Sequence, residues 1–294
     1  MRPVAAVSGA ARGIGLETAR RLAPTHQVAL LDLDAEGAER AAAQIGRDAV
    51  WAACDITDAG SVRGAVADVV ARCGGIDVAI ANAGIATGGA LRHIDPDVLA
   101  AQLNVNLTGS WRFIHACLPH VIERRGYVLG VSSASALVAP AGIGHYAASK
   151  AGFEHLLDVL RVEVAHLGVD VGVAYFSWID TDMVRGAEQS HPAFAKLRAE
   201  LRGPAARTLP VGDAADALLR AVQQRKRIVT APPFVKLAYW LRGVAGPLTD
   251  RDSRRQAPAV DRATADLVAE RGPFDAAMRP DEAGSRAAAR SLER

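Results

Sequence analysis

Short apolar runs separated by longer amphipathic stretches constrain this chain more than any other feature. The runs are Pro3 to Ser8, Gln27 to Leu33, Ala49 to Cys54, Ile76 to Ala81, Tyr127 to Val131, Val169 to Phe176 and Ile228 to Ala231. Most are apolar throughout, as expected of strands covered on both faces. Residues 13–23, 35–45, 59–72, 96–124, 146–167 and 213–224 read as helices between them. Each interval is long enough to cross over and return the chain for another parallel strand. The expected fold is α/β, a single doubly wound parallel sheet of about seven strands.

Composition supports a chain that folds without staples, because half of the 294 residues are hydrophobic and only 22% are charged. With 34 basic against 32 acidic residues the net charge is +2, and acids are interspersed among the arginines. No nucleic-acid partner is expected. Cys54, Cys73 and Cys117 lie in or near apolar stretches without ligand spacing and read as buried thiols in a reducing compartment. His93 and His115 show no ligand spacing either, so no metal site is inferred. Met1-Arg2-Pro3 leads into no signal-peptide core, and the longest uncharged stretch, Gly126 to Ser149, is broken by serines, glycines and Pro140. A cytoplasmic protein is expected.

The sheet accounts for residues 1–233. After it, residues 234–250 form an apolar segment in which Phe234 to Leu248 carries only Lys236 and Arg242 as charges. That segment needs a partner surface: its own domain or a sister subunit first, the mouth of a substrate pocket second, a membrane surface last. Residues 251–294 are mainly Ala, Arg, Asp, Pro and Gly with weak periodicity, the composition of a solvated or loosely docked tail, flexible in parts.

After the first strand, Ser8-Gly9-Ala10-Ala11-Arg12-Gly13-Ile14-Gly15 makes a glycine turn that runs straight into a helix. Glycines let backbone approach a pyrophosphate, and the free N–H groups and dipole of a helix N-terminus face the anion. Asp32 follows nineteen residues after Gly13, at the end of the second apolar run, where a dinucleotide fold places its ribose-binding acid. A carboxylate there accepts bonds from the ribose hydroxyls and repels a 2′-phosphate, which favours NAD over NADP; the other reading is that Asp32 or Asp34 caps the next helix. Arg12 beside the turn would favour a phosphate, and the acid is ranked above it.

Tyr146-Ala147-Ala148-Ser149-Lys150 places a phenol and an ammonium four residues apart on one helix face, downstream of Ser132-Ser133. Together with the glycine turn and Asp32, this sequence resembles the short-chain dehydrogenase/reductase family, in the subgroup with Gly-x-x-x-Gly-x-Gly and Tyr-x-x-x-Lys motifs. The resemblance spans about residues 3–233 and implies a Rossmann-type, three-layer α/β/α domain. It implies a catalytic set of Asn106, Ser133, Tyr146 and Lys150; Ser133 is preferred to Ser132 and Ser135 for lying thirteen residues before the tyrosine. It places the cofactor against Gly9, Arg12, Gly13, Ile14, Gly15, Asp32, Asp55, Ile56, Asn82, Ala83, Gly84, Tyr146, Lys150, Ile179 and Thr181. One departure is Phe176-Ser177 in the place of Pro-Gly before Ile179 and Thr181, which implies an unusual nicotinamide end that Trp178 lines or leaves for the core.

A free phenol with pKa near ~10 is a poor base at neutral pH. Lys150 and the charge of oxidised nicotinamide would favour the phenolate, so that Tyr146 takes the proton of a substrate alcohol. Ser133 would hold the substrate oxygen and Asn106 a water linking Lys150 to solvent. The expected function is NAD-dependent interconversion of a secondary alcohol and a ketone on a hydrophobic small molecule beneath a lid at residues 183–209. The resemblance also implies a homodimer or homotetramer. The alternatives are an NADPH-dependent 3-oxoacyl thioester reductase and, from another class, a nucleotide-sensing binding protein without turnover.

Overall fold

A computed structural model describes residues 2–190, 194, 195, 198, 199 and 201–277. Seven parallel strands, β1 (Val4–Ser8), β2 (Gln27–Asp32), β3 (Val50–Ala53), β4 (Val78–Ala81), β5 (Tyr127–Val131), β6 (Asp170–Phe176) and β7 (Ile228–Ala231), pair in the order β3-β2-β1-β4-β5-β6-β7. Register follows the apolar runs, with Val4 opposite Gln27 and Val78 opposite Tyr127. β1 and β5 are buried at every position, which explains why their sequences do not alternate.

The helices between strands are α1 (Gly13–Leu22), α2 (Ala35–Ile45), α3 (Ala59–Cys73), α4 (Pro96–Leu103), α5 (Ser110–Glu123), α6 (Gly144–Glu163), α7 (Asp182–Ser190) and α8 (Val211–Gln224). Side chains such as Val66 of α3, Phe113 of α5 and Phe153 and Leu157 of α6 pack on one face of the sheet. Leu22 of α1, Ala41 of α2 and Leu218 of α8 pack on the other. The molecule is therefore a three-layer sandwich. Asp34 and Asp58 start α2 and α3 by accepting the Gly37 and Ser61 N–H groups, and Gly74 ends α3 in the left-handed region at φ 80°.

Two expectations need correction. Residues 96–124 are not one helix, because a π-helical turn at Asn104–Gly109 separates α4 from α5. Residues 251–271 are helical where their composition suggested no regular element: α9 runs from Phe234 to Arg271, and 272–277 turn back onto α4, while 278–294 lie outside the described residues. The early part of α9 sits beside β7, with Val235 and Tyr239 buried in the main core and Tyr239 packed on the Tyr175 ring at 5.2 Å. Arg242 pairs with the buried Glu154 of α6. The late part builds a small separate cluster with Ile94 and Val98. Pro247 and Pro258 each remove one rung of the helical ladder, and these prolines with the weak periodicity hid the helix in the sequence. Among the described residues no helix is long and apolar enough to cross a membrane.

Candidate active site

Strand order reverses beside β1, whose neighbours are β2 and β4, and a crevice opens beyond the carboxyl ends of these strands. A cleft of about 250 Å³ occupies it. Its first wall is the glycine turn. Gly9 has φ +67°, and a Cβ there would lie 2.7 Å from the Ala83 Cα. A Cβ on Gly15 would overlap the Gly9 carbonyl and sit 2.7 Å from Asn82 Nδ2. Gly13 is different: with φ +56°, its added Cβ would meet only the Thr181 methyl at 3.9 Å. Space is thus left in front of α1, whose first turn has no side-chain cap and keeps its N–H groups available.

Asn82-Ala83-Gly84 braces this turn. Asn82 Nδ2 donates to the Ser8 and Gly9 carbonyls at 3.2 and 3.0 Å, and the Asn82 and Ala83 N–H groups both donate to Ser8 Oγ. Ser8 escaped the sequence reading because its partners are more than seventy residues away. Asp32 lies in the cleft wall, where Oδ2 accepts the Ala11 N–H and Oδ1 the Asp34 N–H, each at 2.9 Å. The cap of α2 is Asp34. Burial pushes the Asp32 pKa up, opposed by these two N–H groups and by the Arg12 charge. Asp55 accepts the Thr57 N–H at 2.9 Å and its hydroxyl at 2.6 Å, and lines the cleft with Ile56.

The opposite end of the cleft holds Ser133, Tyr146 and Lys150. Lys150 Nζ donates to the Val131 carbonyl at 2.9 Å and lies 5.9 Å from the centre of the Tyr146 ring. Burial lowers the lysine pKa to about 8. Burial raises that of Tyr146, and a hydrogen bond with Ser133 opposes the rise. In the chain by itself the phenol is therefore not activated, because burial outweighs every other influence on it. Ser133 Oγ also accepts from the Ser135 N–H and hydroxyl at 3.1 and 2.9 Å, whereas Ser132 Oγ donates to the Lys150 carbonyl within the core.

Asn106 does not line the cleft. It is buried in the π-helical turn, with Oδ1 accepting the Ile85 N–H at 2.8 Å and Nδ2 donating to the Ile85 carbonyl and Ser149 Oγ. Both of its amide protons and its oxygen are thus engaged within the core. Asn104 bonds Arg112 instead. Position 84 is tight for anything larger than glycine: a Cβ would lie 3.1 Å from Asn106 Oδ1 and 3.4 Å from Lys150 Nζ. Gly15 is the other expected site residue off the cleft surface; the remaining ones, with Ile14, Ile179 and Thr181, line it.

A sequence model described as short chain dehydrogenase matches residues 3–192. The chain belongs to this family. Like other short-chain dehydrogenases, it is an oxidoreductase acting on CH–OH groups. An uncharacterized NAD-dependent oxidoreductase of Mycobacterium tuberculosis is 34% identical over 212 residues, 66% of this chain and 77% of that one. A cis-4-hydroxycyclohexanecarboxylate dehydrogenase of Sinomonas cyclohexanicum is 33% identical over 218 residues, 71% and 82% of the two chains. Among solved structures, a short-chain dehydrogenase/reductase of Burkholderia phymatum in complex with NAD superposes with a TM-score of 0.73 at 20% identity, covering 83% of this chain and 94% of that one.

Within this short-chain dehydrogenase, Phe176 and Ser177 line the cleft where Pro-Gly was expected, next to Met183 and Val184 of α7. Trp178 is turned away from the cleft, edge-on to Phe194 at 5.7 Å and beneath the Arg198 guanidinium at 4.1 Å. His145 is buried beside Tyr146 without lining the cleft; burial lowers its pKa, and Nδ1 has no hydrogen-bond partner.

Proposed function

We propose that this protein interconverts a secondary alcohol and a ketone with NAD(H), using Tyr146 as general acid and base. The observation that carries the reading is the meeting of Tyr146, Ser133 and Lys150 at one end of a cleft whose other end is the glycine turn and Asp32. The open space before Gly13 and the uncapped start of α1 suit a pyrophosphate. Each Asp32 oxygen accepts one backbone N–H and keeps a lone pair for ribose hydroxyls, while the carboxylate repels a 2′-phosphate. NAD rather than NADP follows from that charge, and an NAD-dependent relative supports it.

A dinucleotide held by the glycine turn and Asp32 would supply the hydride acceptor for the carbinol carbon. Ser133 donates its hydroxyl to the substrate oxygen beside Tyr146. Tyr146 takes the hydroxyl proton. Burial alone opposes this, so the phenolate depends on positive charge nearby, from Lys150 and from the oxidised cofactor. Lys150, with a pKa near 8, is mostly protonated at pH 7 and supplies part of that charge. Asn106 keeps Ile85 and Ser149 in place around Gly84.

NADH formation from a panel of cyclic secondary alcohols, including cis-4-hydroxycyclohexanecarboxylate, tests the reading alongside NADH and NADPH titrations. Tyr146→Phe should keep its NADH dissociation constant within about twofold and lose at least about 10³-fold in kcat. Undiminished turnover in that variant, or tighter binding of NADPH than NADH by the wild type, would overturn the mechanism or the cofactor assignment respectively.

A further inference from the structure

The turn that follows β5 carries one hydroxyl that the mechanism leaves unused. Ser133 caps the short 3-10 turn Ala134–Ala136 by accepting the Ser135 N–H at 3.1 Å. The Ala136 and Leu137 N–H groups close the turn on the Ser133 and Ala134 carbonyls at 3.1 Å each, and Leu137 is anchored in the main core. A second bond then reaches the same serine oxygen, because the Ser135 hydroxyl donates to Ser133 Oγ at 2.9 Å. Ser135 is buried and does not line the cleft. Ser133 does line it, and is hydrogen-bonded to Tyr146. The polar groups just before it are directed elsewhere: Ser132 Oγ donates to the Lys150 carbonyl, and the Val131 carbonyl accepts from Lys150 Nζ.

We infer that Ser135 is a positioning residue for the alcohol–ketone interconversion: its N–H and hydroxyl occupy both lone pairs of Ser133 Oγ, so that the one Ser133 proton points into the cleft. The inference rests on the dehydrogenase reading, in which that proton meets the substrate oxygen beside Tyr146. A serine hydroxyl has one proton and two lone pairs. With both lone pairs filled from the Ser135 side, Ser133 loses the orientations in which it would donate away from the substrate. Each bond it accepts also makes its own proton a stronger donor. The N–H bond alone serves the turn. The Ser135 hydroxyl is therefore the part that the local fold does not require, and its effect falls on the chemistry. During oxidation the aimed proton stabilises negative charge on the substrate oxygen, and before substrate enters it does the same for the Tyr146 oxygen. Ser135 itself exchanges no proton, since Tyr146 alone takes the proton of the alcohol.

The test uses the full chain with NAD and the best substrate of the alcohol panel. Ser135→Ala keeps the capping N–H and deletes the hydroxyl. Its kcat should fall about 3–10-fold, the size of one hydrogen bond, with the NADH dissociation constant within about twofold of wild type. The acid limb of the pH profile of kcat/KM for oxidation should move up by about half a unit, because a weaker donor leaves the phenolate less favoured. Ser135→Thr, which restores a hydroxyl, should recover most of both effects. In a Ser133→Ala background, Ser135→Ala should cost less than about 1.5-fold. An equal loss in both backgrounds, or a fall in kcat with an unmoved pH limb, overturns the positioning role. Tyrosinate absorbance of the NAD-bound protein, taken as the difference from Tyr146→Phe, needs no turnover and should show the Tyr146 titration moved to higher pH in Ser135→Ala. An unmoved titration overturns the inference whatever the activity. A wild type inactive on every alcohol, with the titration shifted, would sink the dehydrogenase reading while supporting the orientation of Ser133 by Ser135.

Discussion

At the residue scale, Lys150 carries the largest tension between folding and chemistry. Its ammonium is buried, with one hydrogen bond to the Val131 carbonyl, and its pKa of about 8 lies below the ordinary lysine value of 10.5. Between these pH values the unfolded chain binds more protons than the folded one, so stability rises with pH across that window. Below pH 8 the penalty is present in full, about 3 kcal/mol, and it vanishes as pH approaches 10.5. Lys150→Met abolishes the titration. The difference in Tm between wild type and this variant should therefore move in favour of the wild type by several degrees between pH 7 and 10, in the absence of cofactor. Differential scanning fluorimetry across that range decides the point; a constant difference would show that the lysine is not desolvated. Such a lysine is legible in sequence as half of a Tyr-x-x-x-Lys spacing, but its burial is not, because it depends on Val131 and Gly84 from other elements.

Among the elements, the strands and crossover helices were readable because their signal is local: apolar runs, helical periodicity, and Asp34 and Asp58 as caps. The π-helical turn was not readable, since its reason is tertiary. Asn106 bonds Ile85, 21 positions away, and Ser149, 43 positions away, and the turn aims its amide between them. The motif around Asn106 marked the residue and left its geometry open. Asn106→Ala would strand the Ile85 N–H in the core and remove a partner of Ser149, while the Ile85 carbonyl keeps the Gln102 amide at 2.6 Å. The expected loss is about 2–4 kcal/mol, or roughly 5–15 °C in Tm. Asp32 and the glycine turn lie outside this damage, so NADH affinity should fall less than threefold while turnover collapses. Calorimetry with an NADH titration checks both halves of that expectation.

For the molecule as a whole, the stability of its parts is uneven. Two large clusters on the faces of the sheet hold the catalytic core together, and both were implied by the apolar runs. The late part of α9 rests on Ile94, Val98, Ala276 and Ala277, with Leu267 and Val268 half-buried against them, and on exposed ion pairs. No local pattern could have announced this docking, because Arg92 and Asp261 are 169 positions apart. Burial of the two branched aliphatics is worth about 3–6 kcal/mol, and the surface pairs add little. The arm should accordingly open well before the sheet. In urea, amide protection in residues 254–277 and 88–98 should disappear at a lower concentration than in β1, β4 and β5. An early loss of part of the helical ellipticity at 222 nm should accompany it. Early α9, anchored by Val235, Tyr239 and the Arg242–Glu154 pair, should unfold with the core instead. Coincident transitions for all these segments would show that the arm is an integral part of the domain, with a docking energy several times larger than its few contacts supply.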